Sequence, residues 1–404
     1  MAKQRIFGCM ILLCLSLFLT GCWDRRELQD RSFVLAVGID TADAGNKPGV
    51  KPEQELEVKR TETFVQSHDS KRYRLSLQLL KQETSGNKKQ ETKTYVISNT
   101  GDSLFEMVRD MLGQNSKSLW FEHVQVIIIS EAVLKQVGLS EVLDFFKRDS
   151  EMRSRIKIYV TPGDARSLLE YSPPSKEAGG IYLADLVRLH TRNNHVIGMR
   201  TDLGFINQYL DNQSNILLPQ IQMVDKVVKL GDTAVFKRDK FVGYADEYAV
   251  AGLKIMFGTE KSALITAECP NHPGHQVVFE LFRHDTILTP HVEDGNIYFT
   301  VDITMYGNVG ELQGDLELDN TMDPQYIHKL EDVFAEEIKR NVLYAEKIFK
   351  KEMRVDSVSK FAYKLKAHEP DTWEKVKDQW DELYPEIPLV ISVNIFIKNI
   401  GAHR

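Results

Sequence analysis

Cysteine is scarce in this chain: there are four in 404 residues, at positions 9, 14, 22 and 269. That scarcity excludes a disulfide-stapled scaffold and a multi-cysteine zinc module. Basic charge is short too. Lys and Arg number 51 against 58 Asp and Glu, a net of −7. A nucleic-acid binder needs a basic surface for phosphate contacts, so that class is disfavoured. Long hydrophobic runs are also absent. A spanning helix takes roughly 20 apolar residues. The run from Ile6 to Leu19 falls short of that, and the later run Val124–Ser130 is shorter still. The body is therefore expected to be soluble and outside the cytoplasmic membrane.

Catalytic signatures are missing as well. The chain has no G-x-S-x-G, no P-loop, no G-x-G-x-x-G after a strand and no H-E-x-x-H, so neither an enzyme class nor a cofactor is indicated. One cluster, Cys269, His272 and His275, has the soft and imidazole groups of a zinc site. A structural zinc site normally brings more than one cysteine, so a Pro/Gly hairpin tip with a buried thiol is the better reading and no metal is assigned. His123, with no identifiable nucleophile or acidic partner, reads as a hydrogen-bonded structural histidine. Arg148, Asp149, Glu151 and Arg153 read as an ion-pairing helix end rather than a ligand clamp.

What is present starts at the N-terminus. Lys3 and Arg5, a short apolar run and small residues describe a secretory signal, residues 1–21. Leu19-Thr20-Gly21-Cys22 resembles a bacterial lipobox, in which the Cys22 thiol is lipidated and becomes the new N-terminus. Cleavage there removes 21 of 404 residues and leaves 383, enough for two or three domains. It also removes Lys3 and Arg5, so 49 bases face 58 acids, a balance of −9. Trp23, Asp24, Arg25, Arg26 and Glu27 follow directly. Tryptophan and arginine suit a headgroup layer or a membrane partner. They equally suit a tether whose Trp23 packs on the first domain.

Along the mature chain, Ser32–Asp40 reads as a buried strand. Tyr73–Leu80 alternates, with Tyr73, Leu75, Leu77 and Leu79 on one half-buried face. An edge strand is expected near Leu56 and Val58. Leu104, Phe105, Val108, Met111 and Leu112 mark one helical face. Strands and helices then alternate to about His195, which predicts a mixed α/β domain over 22–195. A small α+β unit is expected over 196–258. Residues 259–404 read as an antiparallel meander packed on a long helix, Asp323 to about Met353. That helix carries an apolar stripe of Tyr326, Ile327, Leu330, Phe334, Ile338, Val342, Ala345 and Phe349. A capped helix follows over 371–385, with Trp373 and Trp380 on one face, and a last strand closes the chain. The fold class expected is α+β with mixed α/β character, in three domains.

Taken in order, these residues resemble the Ger(x)C family of spore-germination lipoproteins, the C subunits of nutrient germinant receptors. The most specific mark is Cys22-Trp23-Asp24-Arg25-Arg26-Glu27-Leu28. Val34–Asp40, His123, Ser130-Glu131, Arg148, Glu151, Arg153, Gly231–Tyr244, Pro370, Trp373, Trp380 and Gly401 also match, so the likeness covers nearly the whole mature chain. Two departures stand out. The polar stretch between Asp40 and Tyr73 is longer than the family's link, and Ser357–Phe361 occupies a turn where the family carries glycine. The resemblance implies a three-domain mixed α/β fold with no catalytic activity and no cofactor. It implies a lipid anchor on the outer face of the spore's inner membrane and assembly with two integral-membrane subunits. The small nutrient germinant is then sensed by the complex. A lipid-anchored solute-binding protein that holds a nutrient itself is the alternative, and it calls for a deep pocket with convergent polar groups.

Overall fold

The structure, a computed structural model, describes residues 30–43, 72–81, 93–188, 200–259, 263–313 and 323–399. The signal segment, Cys22 to Glu27, the edge strand expected near Leu56, and Gly401 lie outside these residues.

Among the described residues, thirteen strands make two sheets. The first takes β1 (Arg31–Thr41), β2 (Tyr73–Leu80), β3 (Thr94–Gly101), β4 (Ser118–Trp120), β5 (Val126–Ser130), β6 (Lys157–Thr161), β7 (Ile216–Val224), β8 (Val227–Lys237) and β9 (Lys240–Ala245). Its order is β3-β2-β1-β5-β6-β7-β8-β9, with β4 beside β1. The central strands β1, β5, β6 and β7 run parallel, and antiparallel neighbours close each side. Parallel neighbours need crossovers, and helices supply them. One face of this sheet is covered by α1 (Leu104–Met111), α2 (Glu131–Leu134), α3 (Leu139–Arg148) and α6 (Leu203–Asp211). The other carries α4 (Ala165–Leu169) and α5 (Gly179–Arg188).

Cover on both faces corrects the reading of β2 as half-buried. Arg74, Ser76 and Gln78 are buried along with the leucines between them. Each has a partner. Gln78 Nε2 donates to the Leu169 carbonyl at 2.5 Å and its Oε1 accepts from the Gly180 N–H at 2.8 Å, so burial carries no unpaired amide. The stripe of α1 also differs from expectation: Leu104, Met107 and Met111 are buried, whereas Phe105 is 52% exposed and Leu112 is exposed too. Phe105 turns outward to Phe145 and to the Arg109 guanidinium 5.0 Å from its ring.

The second sheet, β10 (Leu264–Glu268), β11 (Gln276–Glu293), β12 (Asn296–Leu312) and β13 (Leu389–Asn399), is mixed. The first three strands form the expected antiparallel meander. β13 pairs parallel with β12, which corrects the all-antiparallel reading, because the helical return between them brings the chain back to the start of β12. The long helix α8 (Pro324–Ala345), capped by Asp323 and extended by a π-helical turn over Glu346–Glu352, lays its stripe on this sheet. Phe334 meets Phe279 at 5.2 Å between ring centroids. The helix expected over 371–385 is broken instead into α10 (Pro370–Val376), a short 3₁₀ turn and α11 (Trp380–Leu383). Trp373 and Trp380 still meet edge to face at 5.4 Å.

Residues 200–258 join both halves. Alternation along β7 and β8 sends Ile216, Leu218, Ala234 and Phe236 into the first core, and Leu217 and Val235 into the second. Helix α7 (Glu247–Met256) then lies wholly against the second core, through Ala249, Val250, Leu253 and Met256. Two sheets with helices make the fold α+β with mixed sheets, as expected.

Candidate functional site

The joint between the halves holds a buried polar centre built on Asp356. This residue precedes α9 (Lys360–His368) and accepts from the first N–H groups of that helix. Its Oδ1 accepts from the Phe361 N–H at 3.1 Å and its Oδ2 from the Ala362 N–H at 2.8 Å. The Trp380 indole donates to Oδ2 at 3.1 Å. Burial pushes the Asp356 carboxyl up from 3.8 to about 6, and these donors only partly restrain the rise.

Asn215, at the start of β7, ties this centre to the first half. Its Nδ2 donates to the Asp356 carbonyl at 2.6 Å, and its Oδ1 accepts from the Arg238 N–H at 2.8 Å. Its own N–H donates to Ser359 Oγ at 3.1 Å. Between Asp356 and α9 the chain turns through Val358 and Ser359 with φ of +48° and +51°. That is left-handed space, where a β-branched residue is strained. The glycine-like turn is thus kept without glycine.

Beside this centre runs a half-open cleft of about 1090 Å³ between α6 and the α9–α10 pair. Arg200, Arg238, Lys254, Lys360, Lys366 and Lys377 line it, against Asp356, Asp378 and Asp381. Tyr209, Tyr363 and Trp373 contribute aromatic wall, and Tyr363 is 66% exposed. A groove of about 450 Å³ near Phe105, Glu141 and Phe145 is smaller, and the enclosed space beside Lys350 is about 10 Å³, room for one water.

The residues singled out from sequence fall as follows. Cys22, Trp23, Asp24, Arg25, Arg26 and Glu27 lie outside the described residues. Asp40, which closes the Val34–Asp40 match, is fully buried. It accepts from the Ala165 N–H at 2.7 Å and from Arg74 Nη2 at 2.9 Å, and Arg74 also pairs with Asp164. Burial first, then the Asp164 charge, raises the Asp40 carboxyl. Its work is to cap α4 against β1 and β2. His123 meets Phe33 and Trp120 edge-on at 5.1 and 4.8 Å. Arg148 pairs with Asp144 one turn back, Arg153 pairs with Glu122, and Glu151 accepts from the Phe121 N–H. Cys269 is buried and its Sγ lies 3.6 Å from His272 Nδ1 and 3.7 Å from the Tyr326 hydroxyl. No group of three metal-ligating residues occurs among the described residues. Sequence reasoning missed Asn215 and the basic cleft. Its one signal was the glycine-free turn after Asp356.

With this geometry in view, known proteins show what the chain is similar to. Residues 24–223 match the family described as "Spore germination protein N-terminal domain", and residues 231–401 match "Spore germination B3/ GerAC like, C-terminal". Spore germination protein YndF of Bacillus subtilis (strain 168) is 26% identical over 413 residues, covering 98% of each chain. Spore germination protein B3 of the same organism is 23% identical over 395 residues, covering 97% of each. The crystal structure of the GerBC protein superposes with a TM-score of 0.57 at 21% identity, over 83% of this chain and 95% of that one, a likeness of fold. The boundary between the matched halves falls in the β7–β8 hairpin, where the first sheet meets the second core. With both halves matched in order from residue 24 to residue 401, the chain belongs to the Ger(x)C family of spore-germination proteins.

Proposed function

We propose that this protein is a lipid-anchored, non-enzymatic subunit of a spore germinant receptor, working through protein–protein contact. One observation carries the reading. The family match begins at residue 24, two positions after the lipobox cysteine Cys22. A body that starts where a lipidated N-terminus would start is what an anchored subunit requires. Several acyl chains on one cysteine hold firmly, whereas one holds weakly. No helix among the described residues is long and apolar enough to cross a membrane, so retention in this reading falls to the anchor.

The subunit sits on the outer face of the spore's inner membrane beside two integral-membrane subunits. Trp23 to Glu27 contact the headgroups or a membrane partner. The unit 22–195 and the unit 259–404 are linked through the joint 196–258. The nutrient reaches this chain only through the complex. A lipid-anchored solute-binding protein would enclose most of its ligand. The space beside Lys350 is too small for that, and the large cleft has exposed walls.

Cys22→Ala is expected to abolish palmitate labelling and to move the protein from the spore membrane fraction to the soluble one. Retention on the membrane would overturn the anchor. Co-purification from spore membranes is expected to recover two integral-membrane subunits, and calorimetric titration with amino acids and sugars is expected to give no heat of tight binding. Tight binding by the isolated subunit would favour the solute-binding alternative.

A further inference from the structure

We propose that the cleft between α6 and the α9–α10 pair is a docking groove for an acidic, apolar-bearing segment of a partner protein. The inference rests on the reading of the chain as a receptor subunit and gives the chemistry of one contact. Charge is the first argument. The chain as a whole has more acids than bases, 58 against 51. The cleft reverses that sign, with six bases against three acids in its lining. Of those acids, Asp356 is buried and already accepts three hydrogen bonds. Asp381 is engaged by Lys237 at 3.3 Å and Arg238 at 3.5 Å. Among the bases, Arg200 pairs with Asp202, Arg238 with Asp381 and Lys377 with Glu374, so the groove's positive excess centres on Lys360 and Lys366.

Individual cations strengthen this. Lys254 is only 4% exposed yet lines the cleft, so it is a buried base in its wall. Lys360, half-buried at the start of α9, has its ammonium made less favourable by burial and by Lys364. An incoming carboxylate relieves that condition, because an opposite charge stabilises the charged form. Arg200 stacks over Phe205 at 4.7 Å, which holds its guanidinium plane at the rim.

Shape decides the kind of occupant. Small-molecule sites run to about 300–1000 Å³ and bury most of the ligand's surface. This cleft exceeds that range, and Tyr363, Arg238, Lys366 and Lys377 on its walls are exposed. A nutrient-sized molecule would leave most of the groove wet. An extended or helical segment fills it, with an apolar side chain against Tyr363 and Trp373 and carboxylates toward the bases. The floor is rigid: the strained Val358-Ser359 turn is pinned by Asn215 and Asp356. A pre-formed groove loses little entropy on binding.

The test uses the full-length chain in detergent and a fluorescein-labelled peptide of repeated Glu-Ala-Leu triplets, with a Lys-Ala-Leu peptide as control. Anisotropy is expected to show the acidic peptide binding about tenfold or more tightly than the basic one, and weakening as salt screens the groove. The double variant Lys360→Glu/Lys366→Glu is expected to lose about tenfold in affinity at an unchanged thermal midpoint. If that pair disturbs folding, Lys366→Glu with Tyr363→Ala changes only exposed side chains and carries the same expectation. Equal binding of both peptides overturns the proposal, and so does unchanged affinity in the variants. Displacement of the peptide by free glutamate at micromolar concentration also overturns it, in favour of a small-solute site. Palmitate labelling and membrane retention do not involve the cleft, so failure here leaves the anchored-subunit reading standing.

Discussion

Asp356→Asn isolates the energetic consequence of burying a carboxylate at the joint. In the folded chain this group titrates at about 6 rather than 3.8, chiefly because burial disfavours the anion. Between those values the folded state binds more protons than the unfolded one. Stability from this group is therefore fully present below pH 3.8 and declines as pH rises through 6. A shift of about two units corresponds to about 3 kcal/mol in all, of which about 2 kcal/mol falls between pH 4 and pH 7.

Asparagine has nearly the same shape and no charge at either pH. It offers one acceptor oxygen where Asp356 offers two, to the N–H groups of Phe361 and Ala362 and the Trp380 indole. Opposing an amide N–H to one of those donors costs about 1–3 kcal/mol. Asp356→Asn is thus expected to cost about 2 kcal/mol at pH 4 and close to nothing at pH 7. Urea unfolding of both proteins, followed by tryptophan fluorescence from pH 4 to 7.5, gives the difference directly. Other buried acids such as Asp40 cancel in that difference. Parallel stability curves would show that this carboxyl does not titrate in the window. A cost that grows toward pH 7 would show that the fold prefers the anion, refuting the argument from burial.

Asn215→Ala is expected to cost about 2–4 kcal/mol in urea unfolding, since it leaves the Arg238 N–H and the Asp356 carbonyl without their partner; a cost under about 0.5 kcal/mol would mean the halves are held elsewhere. Gly252→Ala, which in most helices adds about 1 kcal/mol of stability, is expected to cost about 1–3 kcal/mol by thermal unfolding. A Cβ there would lie 2.3 Å from the Asn341 carbonyl oxygen and 2.9 Å from Ala345 Cβ, wedging α7 off α8. Val358→Gly is expected to be close to neutral: relief of the left-handed strain is worth about 1–2 kcal/mol and offsets the lost packing of a partly buried side chain. A loss well beyond about 2 kcal/mol would refute the strain.

Local structure was legible wherever one periodicity governed one buried face. The stripe from Tyr326 to Phe349 and the strands of the meander are of this kind, because each element turns one apolar face into one core. Legibility failed where a second layer intruded. In β2 the polar positions Arg74, Ser76 and Gln78 looked solvent-facing, yet they are buried beneath α4 and α5, each with a hydrogen-bond partner. Polarity reports exposure only when nothing covers that face. The parallel placing of β13 was equally hidden, since strand direction depends on the path of the intervening helices and not on the strand's own residues.

The joint was hidden for a stronger reason. Asn215 and Asp356 lie 141 positions apart, and neither belongs to a repeating pattern. A residue that links distant elements leaves no period behind it. What it does leave is a mismatch, and here the mismatch was on the surface of the sequence. A left-handed turn ordinarily favours glycine, and the turn after Asp356 holds that conformation at Val358 and Ser359 instead. Strain of that kind persists only when surroundings over-determine the backbone. Asn215, the two N–H donors of α9 and the Trp380 indole are those surroundings. The left-handed turn without glycine therefore marks the place where the two halves of the molecule are fastened, and the basic cleft opens from that same fixed point.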